Sequence, residues 1–433
     1  MKSLLHKYRQ YWQNLYTTFL SQAISGLTIL LLSPFLIQHL GEEQFGLYGL
    51  LILNIIPLSI VADLGLNTGL LRRLIHEPEK ASSLISVTFF YFIAITPIAF
   101  SIYMLLFSMG WVKSPEGQVT YAALLSLILL LTLLSSMFDI VIQSVNKIYL
   151  ARKIRMVKLI IEAILIFSFA YFWGLLGVFI AYIFSNIIYV LLLWHYANRE
   201  RPFTISMAFW QGPVFFTHVH YSAWYFIAAV AQVLVFNAQA VLLGSLMSAS
   251  VLAHYILVTR FYDVAKMALS NFTMILFPSI AQLEVQQDWA TIQSQLKKVT
   301  MRMTLLCVAA ALVFFTIGKW IFLQWSHLDQ TTIIPVFTGY GILLLLLVLE
   351  HIPIVFLTAL KWNKLPSIVS VLQGVMGLIL SYFFIPIFGA LGIIYAGVLA
   401  LLGTSFWFSY WYLIREIRKK QLNGSGITNN SGS

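Results

Sequence analysis

Arg260, Asp263 and Lys266 stand three residues apart in an otherwise apolar stretch, ASVLAHYILVTRFYDVAKMALSNFTMILFPSIAQL, which runs from Ala249 to Leu283. At about 1.5 Å of rise per residue the stretch is long enough to cross a bilayer as a helix. Spacing of three gathers the charges within about a third of its circumference. A charge at bilayer mid-depth costs about 2.5–3.5 kcal/mol on insertion scales, so such residues face a water-filled cavity or a partner and mark transport paths. The competing explanation is a cluster that neutralises itself, with Asp263 held between the two cations.

Asp63, Asp139, Glu162 and Glu350 are further carboxylates within apolar stretches. An embedded carboxylate without counter-charge takes up a proton or a cation, so Glu350, Asp139 and Asp63 are candidates for coupling to H+ or Na+. Glu162 lies four residues beyond Lys158, and a helix ion pair explains it. Glu350 is the most isolated of the four, with only His351 beside it. His218 and His220 point about 200° apart on a helix, with no carboxylate or cysteine close in sequence, so no metal site is expected. Cys307 is the single cysteine, which excludes a disulfide framework. There is no G-x-x-x-x-G-K-[ST] loop, so the chain is not itself an ATPase, and no cofactor is expected.

The elements that must hold these residues are membrane spans. The 433 residues are 60% hydrophobic and 9% charged, and a mean hydropathy of +0.88 excludes an ordinary soluble domain. The pattern predicts an all-α polytopic membrane protein with about twelve spans, six between residues 16 and 196 and six between 216 and 413. With both termini inside, 22 of the 26 Lys and Arg residues fall on the cytoplasmic side; Lys113 and Lys319 fall outside, and Arg260 and Lys266 lie within the membrane. The charge of +11 is therefore a topology signal with anionic lipid as neighbour, and nucleic acid is not needed. Arg72 and Arg73 close the second span on the cytoplasmic face. Residues 1–16 and 280–302 read as amphipathic interfacial helices. External connections are short, too short to house a catalytic domain. The tail from residue 416 on is low in complexity toward its end and reads as disordered. Pro57, Pro97, Pro278 and Pro353 are candidate kinks or hinges.

The two halves echo each other, predicting lobes over 1–200 and 201–415. Phe45-Gly-Leu-Tyr48 matches Leu252-Ala-His-Tyr255, Asp139 matches Glu350, and Gly174-Leu-Leu-Gly177 matches Gly389-Ala-Leu-Gly392, with offsets of 207, 211 and 215. Six spans return the chain to the same side, so the expectation is two pseudo-symmetric six-helix lobes around a central cavity.

The stretch PFLIQHLGEEQFGLY from Pro34 to Tyr48, Asp63-Leu-Gly-Leu66, Arg72-Arg73, and Leu252–Leu283 with Arg260 and Phe277-Pro278-Ser279 resemble the bacterial O-antigen flippases. The glycine turns fit as well. The resemblance covers the chain to about residue 415 and implies membership of the multidrug/oligosaccharidyl-lipid/polysaccharide exporter superfamily. It implies a non-enzymatic job in the bacterial inner membrane: moving a polyprenyl-diphosphate-linked oligosaccharide between leaflets by alternating access. Polysaccharide polymerase and chain-length proteins are the implied partners. On this view Arg260 and Lys266 supply counter-charge for a diphosphate, and Asp263 organises them. Tyr255, Tyr262 and Asn271 offer aromatic, hydroxyl and amide surface to the glycan, and Arg72 and Arg73 receive the headgroup on the cytoplasmic face. The rivals are a multidrug or small-cation extruder of the same fold, a lipid II flippase, whose relatives commonly carry two additional spans, and a membrane O-antigen polymerase. An extruder of cations favours an acidic or aromatic cavity, and a polymerase needs a large external loop.

Overall fold

In lipid every backbone N–H and C=O must be paired within the protein, and a helix achieves this within one segment. The computed structural model describes residues 2–111, 117–274, 280, 283–284, 286–326, 330–362 and 364–428, and among these the only regular structure is helical. In the first half the helices are α1 (Lys2–Asp63), α2 (Leu66–His76), α3 (Ala81–Ser108), α4 (Gln118–Ser144), α5 (Ile148–Glu200), α6 (Gly212–Phe236) and α7 (Ala238–Leu246). They continue with α8 (Ala249–Met274), α9 (Trp289–Val313), α10 (Lys319–Ser326), α11 (Gln330–Ala359), α12 (Lys364–Phe388), α13 (Ala390–Gly403) and α14 (Ser405–Thr428).

Eight segments of the described residues are long and apolar enough to cross a membrane. Two of them, Tyr16–Asp63 with 48 residues and Ile148–Glu200 with 53, are about twice the length that a ~30 Å hydrocarbon core requires. Each is divided by a glycine with non-helical backbone, Gly41 in α1 and Gly174 in α5. Adding α6–α7 and α8 gives twelve crossings. The fold is the all-α, twelve-helix, two-lobe type.

By internal contacts the chain forms two compact units. The first comprises residues 1–233 and 247–254, the second 234–246 and 255–433. In the first, α4 packs along α5, α1 along α5, and α3 and α2 along α4. The connection 201–211 is fastened to α3, with Thr204 N donating to Ser82 Oγ at 3.1 Å and Ser206 N to Ser86 Oγ at 3.2 Å. In the second, α12 packs along α13, α11 touches α9, α13 and α14, and α7 lies on α12.

The repeat read from the sequence is present in the backbone. Gly174 has φ 55 and ψ −135; Gly389 has φ 58 and ψ −134. This conformation is closed to residues with a Cβ. Three residues on, a Cβ on Gly177 would overlap the Phe169 carbonyl, and one on Gly392 the Phe384 carbonyl. One turn chemistry is therefore used once in each unit.

Several details differ from the sequence reading. The stretch 1–16 is not a separate interfacial helix in the described residues, because α1 runs unbroken from Lys2 into the first span with no Gly or Pro before Gly26. Likewise 289–302 forms the first turns of α9, where Asp288 Oδ1 accepts from Thr291 N at 3.0 Å and caps the start. The second span is interrupted at Leu64 (φ 50) and Gly65 (φ 73) before α2 begins. Span nine carries a π-helical turn at Phe314–Gly318, and span twelve breaks at Thr404 (φ −130, ψ −90).

Candidate functional site

The apolar run of α8 places Arg260 near the middle of its 26 residues. Arg260 is half-buried, and among the described residues it has no hydrogen-bond, ion-pair or ring partner. Asp263, three residues on, is also half-buried and acts electrostatically on the Tyr255 and Tyr340 hydroxyls. No Arg260–Asp263 ion pair forms, so Arg260 is not neutralised by its neighbour. The backbones of Lys266 and Asn271 continue α8; their side chains lie outside the described residues.

The two tyrosines face the interior of the second unit. Tyr255 packs edge-on against Tyr340 with ring centres 6.0 Å apart. Tyr262, only 2% exposed, stacks on Phe314 and donates its hydroxyl to the Phe337 carbonyl at 2.9 Å. Gly341 makes room for it, because a Cβ there would overlap the Tyr262 hydroxyl. The aromatic surface offered to a glycan by the sequence reading is, at Tyr262, occupied by packing within the unit.

Arg72 and Arg73 diverge as neighbours on a helix must. Arg72 is exposed, while Arg73 is 8% exposed and reaches Glu77 with Nε at 3.4 Å and Nη2 at 3.3 Å. Lys80 joins Glu77 at 2.9 Å from the exposed turn Pro78–Lys80. Hydrogen bonds from Lys80, then from Arg73, hold the Glu77 carboxyl down to about 2.

The embedded carboxylates separate into two kinds. Asp139 accepts from Gln143 at 3.1 Å and pairs with Arg152 at 3.5 Å, and Glu162 is paired with Lys158 and receives the Ser185 hydroxyl. Asp63 and Glu350 have no cation among the described residues. Asp63 Oδ1 accepts from Asn67 N at 3.3 Å, capping α2 across the break in span two. Glu350 is 7% exposed and lies near Ser405, whose hydroxyl donates to Gln373 Oε1 at 2.7 Å. Ser405 opens α14 directly after the break at Thr404, so the irregular backbone and the buried acid coincide. Sequence reading missed Gln373 and Ser405. Their signal was a polar residue on each of two adjacent apolar spans. No cluster of three metal-ligating side chains occurs among the described residues.

The family model described as polysaccharide biosynthesis protein matches residues 11–284, well over half of the chain. The chain belongs to that family. A second model, the lipid II flippase MurJ, matches residues 264–431 of this family member. Among solved structures it is similar to an inward-facing multidrug resistance MATE family transporter of the MOP superfamily, with TM-score 0.71 and 12% identity over 91% of this chain and 96% of that one. It is similar to lipid II flippase MurJ in an inward closed conformation, with TM-score 0.70 and 12% identity over 95% and 90%. The Vibrio cholerae MATE transporter VcmN in its bent form follows with TM-score 0.61 and 15% identity over 96% and 98%. At these identities the likeness is one of fold. No curated protein matches. The family and the long apolar helices together make the chain a multi-pass membrane protein of polysaccharide biosynthesis.

Proposed function

We propose that this polysaccharide biosynthesis family member moves a polyprenyl-diphosphate-linked oligosaccharide, an O-antigen or similar repeat unit, from the cytoplasmic to the outer leaflet by alternating access. The observation that carries the reading is Arg260: a half-buried guanidinium in mid-span with no partner among the described residues. A diphosphate stripped of water needs charge-assisted donors, and Arg supplies a planar fork that stays charged. An unpaired embedded cation is costly unless a ligand uses it. Lys266 and Asp263 serve on the same helix as second cation and organiser, and Asn271 is the amide assigned to the sugars. The membrane is the bacterial inner membrane with both termini cytoplasmic, as the distribution of basic residues supports. Polymerase and chain-length proteins are the downstream partners.

Coupling to H+ or Na+ runs through Glu350. Glu350 is buried with no cation among the described residues, and an embedded carboxylate in that position takes up a proton or a cation. Asp63 is the other carboxylate without a cation, and Asp139 the weaker candidate because Arg152 pairs with it.

Complementation of a strain lacking surface-glycan export tests the reading. Arg260→Ala is expected to abolish display while the protein remains inserted; normal display sinks the assignment. The lipid II flippase model over residues 264–431 favours a second reading, in which the substrate is lipid II. Both substrates share the polyprenyl diphosphate, and restoring glycan display or cell-wall synthesis in the respective deficient strains separates them.

A further inference from the structure

The first unit holds a second group of unpaired polar atoms, distinct from Arg260. Helices α2 and α6 meet at Gly69, where a Cβ would overlap Ser222 Oγ and lie 3.3 Å from His218 Cε1. His218 and Ser222 are one turn apart on α6, and both are completely buried. Arg73 is one turn beyond Gly69 on the same face of α2. Its Nη1, both ring nitrogens of His218 and the Ser222 Oγ are buried with no hydrogen-bond partner among the described residues. Glu77 satisfies only the Nε and Nη2 side of the guanidinium. Arg73 and Glu77 are the charged groups that act on His218.

Buried polar atoms are almost always paired, so four unpaired ones on a single helix seam need an explanation. Left unmade, these bonds weaken the closed seam, and an occupant with lone pairs would relieve it. The unused groups are mostly donors: two hydrogens on Arg73 Nη1, one on the Ser222 hydroxyl and at least one on the imidazole. Arg73 makes the seam repel cations. An oxyanion fits both the donor set and the charge. The seam lies one turn from the exposed Pro78–Lys80 turn, at the end of span two that the basic residues mark as cytoplasmic.

We infer that the α2–α6 seam parts to receive a phosphate oxygen of the lipid substrate's diphosphate, bound by Arg73, His218 and Ser222, before it reaches Arg260. This rests on the flippase reading above. It gives Arg73 a receiving role that the Glu77 pair alone does not provide, and it recruits two residues of span seven to the path.

The test uses the full chain in proteoliposomes with Cys307→Ser as parent, Ser222→Cys as reporter and exposed Gln211→Cys as control, all labelled with a membrane-impermeant maleimide. Ser222→Cys is expected to label more slowly than the control, and inorganic pyrophosphate or polyprenyl diphosphate to slow it a further tenfold or so while polyprenol does not. His218→Leu is expected to raise the protecting diphosphate concentration by about tenfold with the melting temperature unchanged or higher, since an apolar replacement removes unpaired nitrogens. A reporter that never labels while Gln211→Cys does, labelling indifferent to diphosphate, or a His218→Leu protein that simply melts earlier each overturns the inference. Wild-type flipping is measured in parallel. Flipping without protection at Ser222→Cys fails the seam alone; protection without flipping fails the substrate reading and leaves the seam standing.

Discussion

Among single residues, the embedded charges divide into those that are paired and those that wait. Arg152 with Asp139 and Lys158 with Glu162 are structural pairs within the first unit. Arg260 and Glu350 have no opposite charge among the described residues, and function is assigned to them. Glu350→Gln is therefore expected to leave insertion intact but remove the dependence of transport on an imposed H+ or Na+ gradient, read as flipping rate with and without the gradient. A variant that keeps full gradient dependence moves the coupling elsewhere, with Asp63 next in line. Glu77 gives a pH prediction outside the membrane. Its folded carboxyl sits near 2, below its ordinary 4.5, so the stability it contributes is complete above about 4.5 and is lost as pH falls toward 2. Thermal melting of Glu77→Gln against wild type should show a deficit at pH 7 that shrinks steadily below pH 4.5; a deficit independent of pH would remove the Arg73–Glu77–Lys80 cluster as its source.

At the scale of elements, glycine geometry was legible in the sequence and side-chain direction was not. Gly174 and Gly389 could be paired by offset alone, because a turn that only glycine can make leaves a glycine in every copy, and the two dihedral pairs agree within a few degrees. Alanine at either position is expected to cost about 1–3 kcal/mol through backbone strain, read as a lower melting temperature for both variants. If only one of the two responds, the turns are not equivalent. Tyr262 shows what the sequence conceals. A span surrounded by lipid and protein is apolar on all faces, so periodicity does not tell a cavity-facing tyrosine from a packed one. Its partners, Phe337 and Gly341, come from α11, more than seventy residues away. The same distance hid the seam: His218 reads as an isolated polar residue until Gly69 brings it against α2.

Across the whole molecule, the count of spans and the twofold repeat of six spans were legible in hydropathy and in the glycine offsets, since lipid permits so few solutions. The contact units could not be read that way. Span seven divides between them, with α6 up to Val233 in the first unit and α7 in the second, a partition set by which neighbours each half meets. The breaks at Leu64–Gly65 and Thr404 lie next to Asp63 and Glu350, which have no cation among the described residues. Discontinuous spans beside ionisable groups are where transporters place their ion and substrate sites. The most direct test of the central claim is a proteoliposome assay that follows a labelled polyprenyl-diphosphate-oligosaccharide from one leaflet to the other. Flipping by the wild type is expected, with a loss of tenfold or more in Arg260→Ala and partial recovery in Arg260→Lys, which restores charge without the planar fork. Equal rates for wild type and Arg260→Ala would contradict that claim.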